Sequence, residues 1–183
     1  MSASRGTPRP LHVRSYGDAD APEIVCLHGV TSWGAHFARL AERLGETHRV
    51  LAPDLLGHGD SPREPPWGID DHLASIAASI AGQGPRTWLG HSFGGRLAFE
   101  HAARHAGEVD RLVLLDPAIL LPGHVGLWAA ENARPDRQYA SFEEAIDRRY
   151  EESQLHRAPR ALVEGELRGH LAEHDHGWRY RYT

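Results

Sequence analysis

Ser92 stands between glycines in the stretch Gly90-His91-Ser92-Phe93-Gly94, a G-x-S-x-G pattern whose residue types suit a nucleophilic hydroxyl on a sharp turn. The run Arg86, Thr87, Trp88, Leu89 before it reads as a short buried strand. Leu97, Ala98, His101, Ala102 and His105 after it recur at helical spacing. A serine at such a junction takes a strained backbone conformation that lifts its hydroxyl off the end of the sheet. Gly90 and Gly94 keep side chains out of the turn, and Gly95 lets the following helix approach the strands. The chemistry this allows is attack on a carbonyl carbon.

The flanking elements must hold that turn. Leu11 to Tyr16 alternates like a strand, and the turn residues Gly17 to Pro22 suggest an opening hairpin with the next apolar run, Glu23 to Leu27. Trp33, Phe37, Leu40 and Leu44 mark one face of a helix closed by Gly45. Val50 to Ala52 reads as a strand, and Leu73, Ile76, Ala77 and Ile80 as a helical stripe behind Asp70 and Asp71. Leu112 to Leu115 is the most apolar run, a strand expected to be covered on both faces. Strand and helix alternate repeatedly, which predicts an α/β fold, a mostly parallel sheet flanked by helices. In such sheets sites gather beyond the carboxyl ends of the strands, where His28-Gly29, Asp54, Ser92 and Asp116 all fall.

The rhythm changes after Ala118. Ser141-Phe142-Glu143-Glu144 is a capping-box pattern, and residues 159 to 171 read as another helix. We expect a core over 1–118 and a helical, lid-like region over 119–183. Trp178 to Tyr182 would start a further strand.

Composition narrows the partners. The 183 residues fit one modest core, and a net charge of −5 with scattered arginines gives no basic stripe for nucleic acid. The single cysteine, Cys26, lies in an apolar run and suits a reducing compartment. No stretch has the length of a signal peptide or a membrane span, so the expectation is a soluble, cytoplasmic protein acting on a small molecule without cofactor or metal. Serine stands where a dinucleotide fingerprint wants its second glycine, and no Gly-Lys-Ser/Thr follows a glycine-rich loop. His174-Asp175-His176 lacks a third spaced metal ligand. An apolar edge at Leu112 to Leu115 offers itself for self-association.

Three ordered motifs, His28-Gly29, then Pro53-Asp54-Leu55-Leu56-Gly57-His58-Gly59-Asp60-Ser61, then Gly90-His91-Ser92-Phe93-Gly94-Gly95, resemble the serine-nucleophile branch of the α/β-hydrolase family. The resemblance covers residues 11 to 118 firmly. It implies that Ser92 is the nucleophile and that the backbone N–H groups of Val30 and Phe93 form the oxyanion hole, each donor worth roughly 3 to 4 kcal/mol in the transition state. His28, Asp54 and the Gly57-His58-Gly59 turn would be scaffold. Relatives that open epoxides or displace halide carry aspartate at the nucleophile position, so ester, thioester, lactone, amide and carbon–carbon bond hydrolysis remain.

The family order of serine, acid and histidine places acid and base after the lid, on two further strands. On this reading the chain is an amino-terminal portion, and its base lies elsewhere. Asp116 is a weak candidate for the acid, since an aspartate before proline at a strand end is also ordinary turn chemistry. His101 lies roughly 13 Å along the helix from the elbow, the sharp strand-to-helix turn at Ser92, too far for a base. His124 is the least unsuitable internal candidate, ahead of His156, His170, His174 and His176. Leu120, Leu121, Leu127 and Trp128 suggest an apolar pocket lining. The competing account is a non-catalytic small-molecule-binding protein on the same truncated scaffold.

Overall fold

Alternate residues of the central strands belong to two different apolar clusters, and this two-sidedness builds the layers. Val25, Leu27, Leu51 and Trp88 pack with Leu73, Ile76, Leu97 and Ala98 on one side of the sheet. Ile24, Cys26, Val50 and Ala52 pack with Phe37 and Ala41 on the other. Side chains that alternate faces with a period of two can serve two cores only if helices cover both faces.

The computed structural model describes residues 8–80, 84–122, 124, 138–152 and 159–182. It divides into two units, Met1–Leu121 with Tyr182–Thr183, and Pro122–Arg181. In the first unit the strands are β1 Val13–Tyr16, β2 Glu23–Leu27, β3 Arg49–Pro53, β4 Arg86–His91 and β5 Val109–Leu115, in the order β1-β3-β2-β4-β5. The pairs β2/β3, β2/β4 and β4/β5 are parallel, and β1 joins β3 antiparallel. The helices are α1 Ala38–Leu44, α2 Ile69–Ser79 and α3 Phe93–Arg104. Asp71 closes the start of α2 by accepting the Gly68 N–H at 3.0 Å.

Three expectations are corrected here. The turn at Asp18–Ala21 does not make a hairpin, because β2 is inserted between β3 and β4 while β1 pairs with β3 alone. β2 is apolar toward both faces and takes the centre, and β1, carrying Arg14 and exposed Ser15, takes an edge. The helix read from Trp33 begins as a 3-10 turn, Gly34–Phe37, and becomes α-helical only at Ala38. Finally, among the described residues β5 is covered on one face only. Leu112 and Leu114 pack on the α2/α3 cluster, whereas Val113 and Leu115 are 39% and 46% exposed. An apolar run shows that two faces can be covered, not what covers them.

The second unit carries strands as well as helices. Helices α4 Phe142–Glu152 and α5 Arg160–His170 accompany β6 Gln138–Tyr139, β7 Leu171–His174 and β8 Gly177–Tyr180, which form an antiparallel sheet in the order β6-β8-β7. β8 therefore pairs with its neighbours in the chain and adds no strand to the large sheet. Glu144 N–H donates to Ser141 Oγ at 3.1 Å, and Glu144 in turn accepts the Ala140 N–H at 2.8 Å. Tyr139, Ala145, Ile146, Val163, Leu167 and Leu171 form this unit's core.

Candidate active site

β4 ends at His91, α3 begins at Phe93, and Ser92 alone makes the turn, with φ 52° and ψ −116°. A side chain in that region costs roughly 1 to 3 kcal/mol and persists only where its surroundings over-determine it. Here they do. The Ser92 N–H donates to Leu115 O at 3.0 Å, and Ser92 O accepts the N–H groups of Arg96 at 3.1 Å and Ala118 at 3.0 Å. Steric closeness explains the glycines. A Cβ on Gly90 would stand 2.4 Å from Gly94 O, and one on Gly94 would stand 2.2 Å from Leu27 O, both rigid backbone. A Cβ on Gly29 would lie 3.1 Å from Ser92 Cβ and from His91 Nδ1, so the loop after β2 rests against the elbow.

Ser92 occupies the N-cap position of α3, yet its side chain makes no capping bond. Serine at an N-cap ordinarily spends its hydroxyl on the N–H groups of the first turn. The elbow backbone withholds the hydroxyl from that role. One backbone N–H stands in the loop after β2 and another at the first residue of α3. Val30, 52% exposed, follows Gly29, and Phe93 opens α3; among the described residues neither N–H donates to a protein acceptor. The α3 terminus adds the positive end of a helix dipole.

His28 is fully engaged beside them. Its Nε2 accepts the Leu55 N–H at 2.9 Å, which leaves the proton on Nδ1, 2.8 Å from Gly29 O. That tautomer ties the β2 loop to the loop after β3. Asp54, wholly buried, accepts the N–H groups of Gly34 at 2.7 Å and Asp60 at 3.1 Å, and Arg14 Nη2 lies 3.3 Å away. Arg14 also reaches Asp60 at 3.1 Å. Ligand atoms of His12, Asp54 and Asp60 lie within 4.8 Å of one another, a spacing open to a metal ion, but the Arg14 guanidinium is the cation the two carboxylates share. Burial lowers the pKa of His58 and pushes that of His72 down to about 4, so both rings sit neutral in the core at neutral pH. The His72 ring stands edge-on to Phe93, 5.2 Å between centroids, behind the elbow.

Asp116 follows the acceptor of the Ser92 N–H, is exposed, and has φ 44°. His101 is buried against the Trp88 ring, 4.0 Å between centroids, and His124 is exposed. His170 packs on Tyr180 in the second unit, His174 ends β7, and His176 lies in the β7–β8 turn. His156, Leu127 and Trp128 lie outside the described residues. Two participants went unread in the sequence: Arg14, whose distant carboxylate partners leave no local signal, and Arg96, whose spacing with Glu100 and Arg104 is a visible i, i+4 ladder.

A parallel sheet whose third parallel strand runs into a serine turn closely packed by glycines has the architecture of one enzyme superfamily. The chain belongs to it: the family described as alpha/beta hydrolase fold matches residues 22–160. Among its relatives is Lipase LipV of Mycobacterium tuberculosis, 46% identical over 115 residues, or 62% of this chain and 44% of the lipase. A pimeloyl-[acyl-carrier protein] methyl ester esterase of Chromobacterium violaceum is 39% identical over 108 residues, covering 57% of this chain and 40% of the esterase. This chain thus spans less than half the length of these relatives. Of solved structures, an alpha/beta hydrolase from Novosphingobium aromaticivorans shares the fold with a TM-score of 0.81 at 23% identity, over 94% of this chain and 64% of that one. Among the described residues no helix is long and apolar enough to cross a membrane.

Proposed function

We propose that the protein is the nucleophile-bearing part of a serine hydrolase for small carbonyl substrates such as esters, thioesters or lactones. The observation that carries this reading is Ser92 held at φ 52° between β4 and α3 with its hydroxyl unspent on the helix. Ser92 Oγ attacks the carbonyl carbon, its proton passing to a general base. The carbonyl oxygen takes up the negative charge beside the Val30 and Phe93 N–H groups. Collapse breaks the C–O or C–S bond, the base returns its proton to the leaving oxygen or sulfur, which stays tethered when the substrate is a lactone, and water then cleaves the acyl-enzyme to release the acid and restore the serine. Fixed dipoles stabilise that charge without reorganising, which is why two positioned amides matter more than their number suggests. The reading takes the base and its carboxylate from outside residues 1–183, in keeping with a chain that spans 44% of the mycobacterial lipase.

An alkyl fluorophosphonate tests it. Ser92 Oγ bonds to phosphorus as the P–F bond breaks and fluoride and a proton leave. Slow modification mapping to Ser92, faster than at any other serine and absent in Ser92→Ala, is expected, because open amides accelerate attack even without a base. Modification no faster at Ser92 than at surface serines would overturn the reading. A ligand that raised the melting temperature and was recovered intact from such an unlabelled protein would favour a binding scaffold.

A further inference from the structure

Arg96 lies one turn beyond Ser92, and the elbow uses only its backbone. Its side chain is committed elsewhere. Nε and Nη2 lie 2.9 and 2.6 Å from Glu100 Oε1, and Nη1 donates to Ile119 O at 2.7 Å. Glu100 is held in turn by Arg104 at 3.1 Å, and Arg104 by Asp70 of α2 at 2.5 Å. Alternating charges thus run along α3 and deliver one guanidinium N–H to a single backbone carbonyl. The planar guanidinium is the group that can grip a carboxylate and a carbonyl at once.

Ile119 belongs to the segment that leaves β5 at the serine. Ala118 N–H donates to Ser92 O, and Pro117 fills the space a Cβ on Gly95 would need. Just beyond the gripped carbonyl, Leu120 and Leu121 are 92% and 55% exposed, adjacent apolar side chains in an irregular stretch. Such a stretch, with few buried contacts of its own, is placed by whatever ties its backbone down.

The geometry points to Arg96 as a positioning residue that fixes Pro117–Leu121 beside the nucleophile, so that Leu120 and Leu121 form a wall for the apolar acyl chain of the substrate. The inference rests on the reading of Ser92 as nucleophile and gives it a substrate class: carbonyl compounds with an extended, uncharged acyl chain in preference to short ones. Ion pairing with Glu100 holds the guanidinium flat and leaves Nη1 for Ile119. Lysine offers one compact cation in its place and cannot meet both partners as well.

The test uses the full chain with Arg96→Met, Arg96→Lys and Glu100→Gln, read by hydrogen–deuterium exchange over residues 117–121 and by Ser92 labelling with octyl and ethyl fluorophosphonates. The parent is expected to prefer the octyl probe. In Arg96→Met, exchange in this segment should quicken about tenfold and the octyl-to-ethyl ratio fall by a similar factor, as loss of a charge-assisted hydrogen bond implies, with the ethyl rate nearly unchanged. Arg96→Lys should restore part of both, and Glu100→Gln should move both less; the latter decides the matter if Arg96→Met does not fold. Unchanged exchange would overturn the positioning role, and faster exchange with an unchanged ratio would overturn the role in specificity. A parent unlabelled at Ser92 would instead refute the nucleophile reading and the acyl wall with it, leaving exchange to decide the positioning role by itself.

Discussion

Replacing Ser92 by glycine should make the protein more stable than replacing it by alanine. Alanine keeps the Cβ and therefore the strain of φ 52°, ψ −116°. Glycine releases roughly 1 to 3 kcal/mol of that strain, against about 0.5 to 1 kcal/mol for its greater freedom in the unfolded chain. The three backbone hydrogen bonds to Leu115, Arg96 and Ala118 belong to main-chain atoms and survive both changes. The difference should then be about 1 kcal/mol in favour of Ser92→Gly, a rise in Tm of about 3 °C for a chain of this size. Paired urea and thermal melts of the two variants measure it. At an ordinary position glycine is the less stable of the two. Ser92→Gly melting below Ser92→Ala would therefore show that the turn is unstrained and remove the reason for the hydroxyl's projection.

Two further outcomes follow from the same packing. Gly94→Ala brings a methyl within 2.2 Å of Leu27 O, so α3 must draw back from β2; we expect a loss of at least about 2 kcal/mol in denaturant melts despite alanine's better helix propensity, and a loss no larger than a few tenths would contradict the close approach. His72 is neutral in the fold, its pKa depressed by burial to about 4 from an ordinary 6.5, with Asp71 and Arg9 as charged neighbours and His58 as a titratable one. The unfolded chain takes up the proton first, so this stability is complete above pH 6.5 and is lost as pH falls toward 4, roughly 3 kcal/mol in all. His72→Leu should flatten the stability profile across that window, and an equally steep profile in the variant would refute the assignment.

The elbow and the layered sheet were legible because each has a local signature. Gly90, Ser92 and Gly94 lie within five residues, and the runs of β2 and β3 are apolar on both faces whatever their neighbours. Pairing partners were not legible. The turn after β1 looks the same whether β1 joins β2 or β3, because the choice is made by β2's burial in the middle of the sheet. The same limit hid β6 and β7: Gln138–Tyr139 and Leu171–His174 are too short to show a period, and only their antiparallel alignment on β8 makes them strands. Around the serine, residues whose role lies in their own backbone turn could be read, such as Gly90 and Gly94. Asp54 could be placed at a strand end, but its partners Gly34 and Arg14, 20 and 40 residues away, could not.

The proposed hydrolysis requires Ser92 Oγ to face the amides of Val30 and Phe93. A crystal structure of the protein phosphonylated at Ser92 addresses it directly, since the phosphoryl oxygen marks the position of the developing oxyanion. That oxygen is expected at about 2.7 to 3.1 Å from both nitrogens. An adduct whose phosphoryl oxygen points to solvent, or meets neither amide, would contradict it.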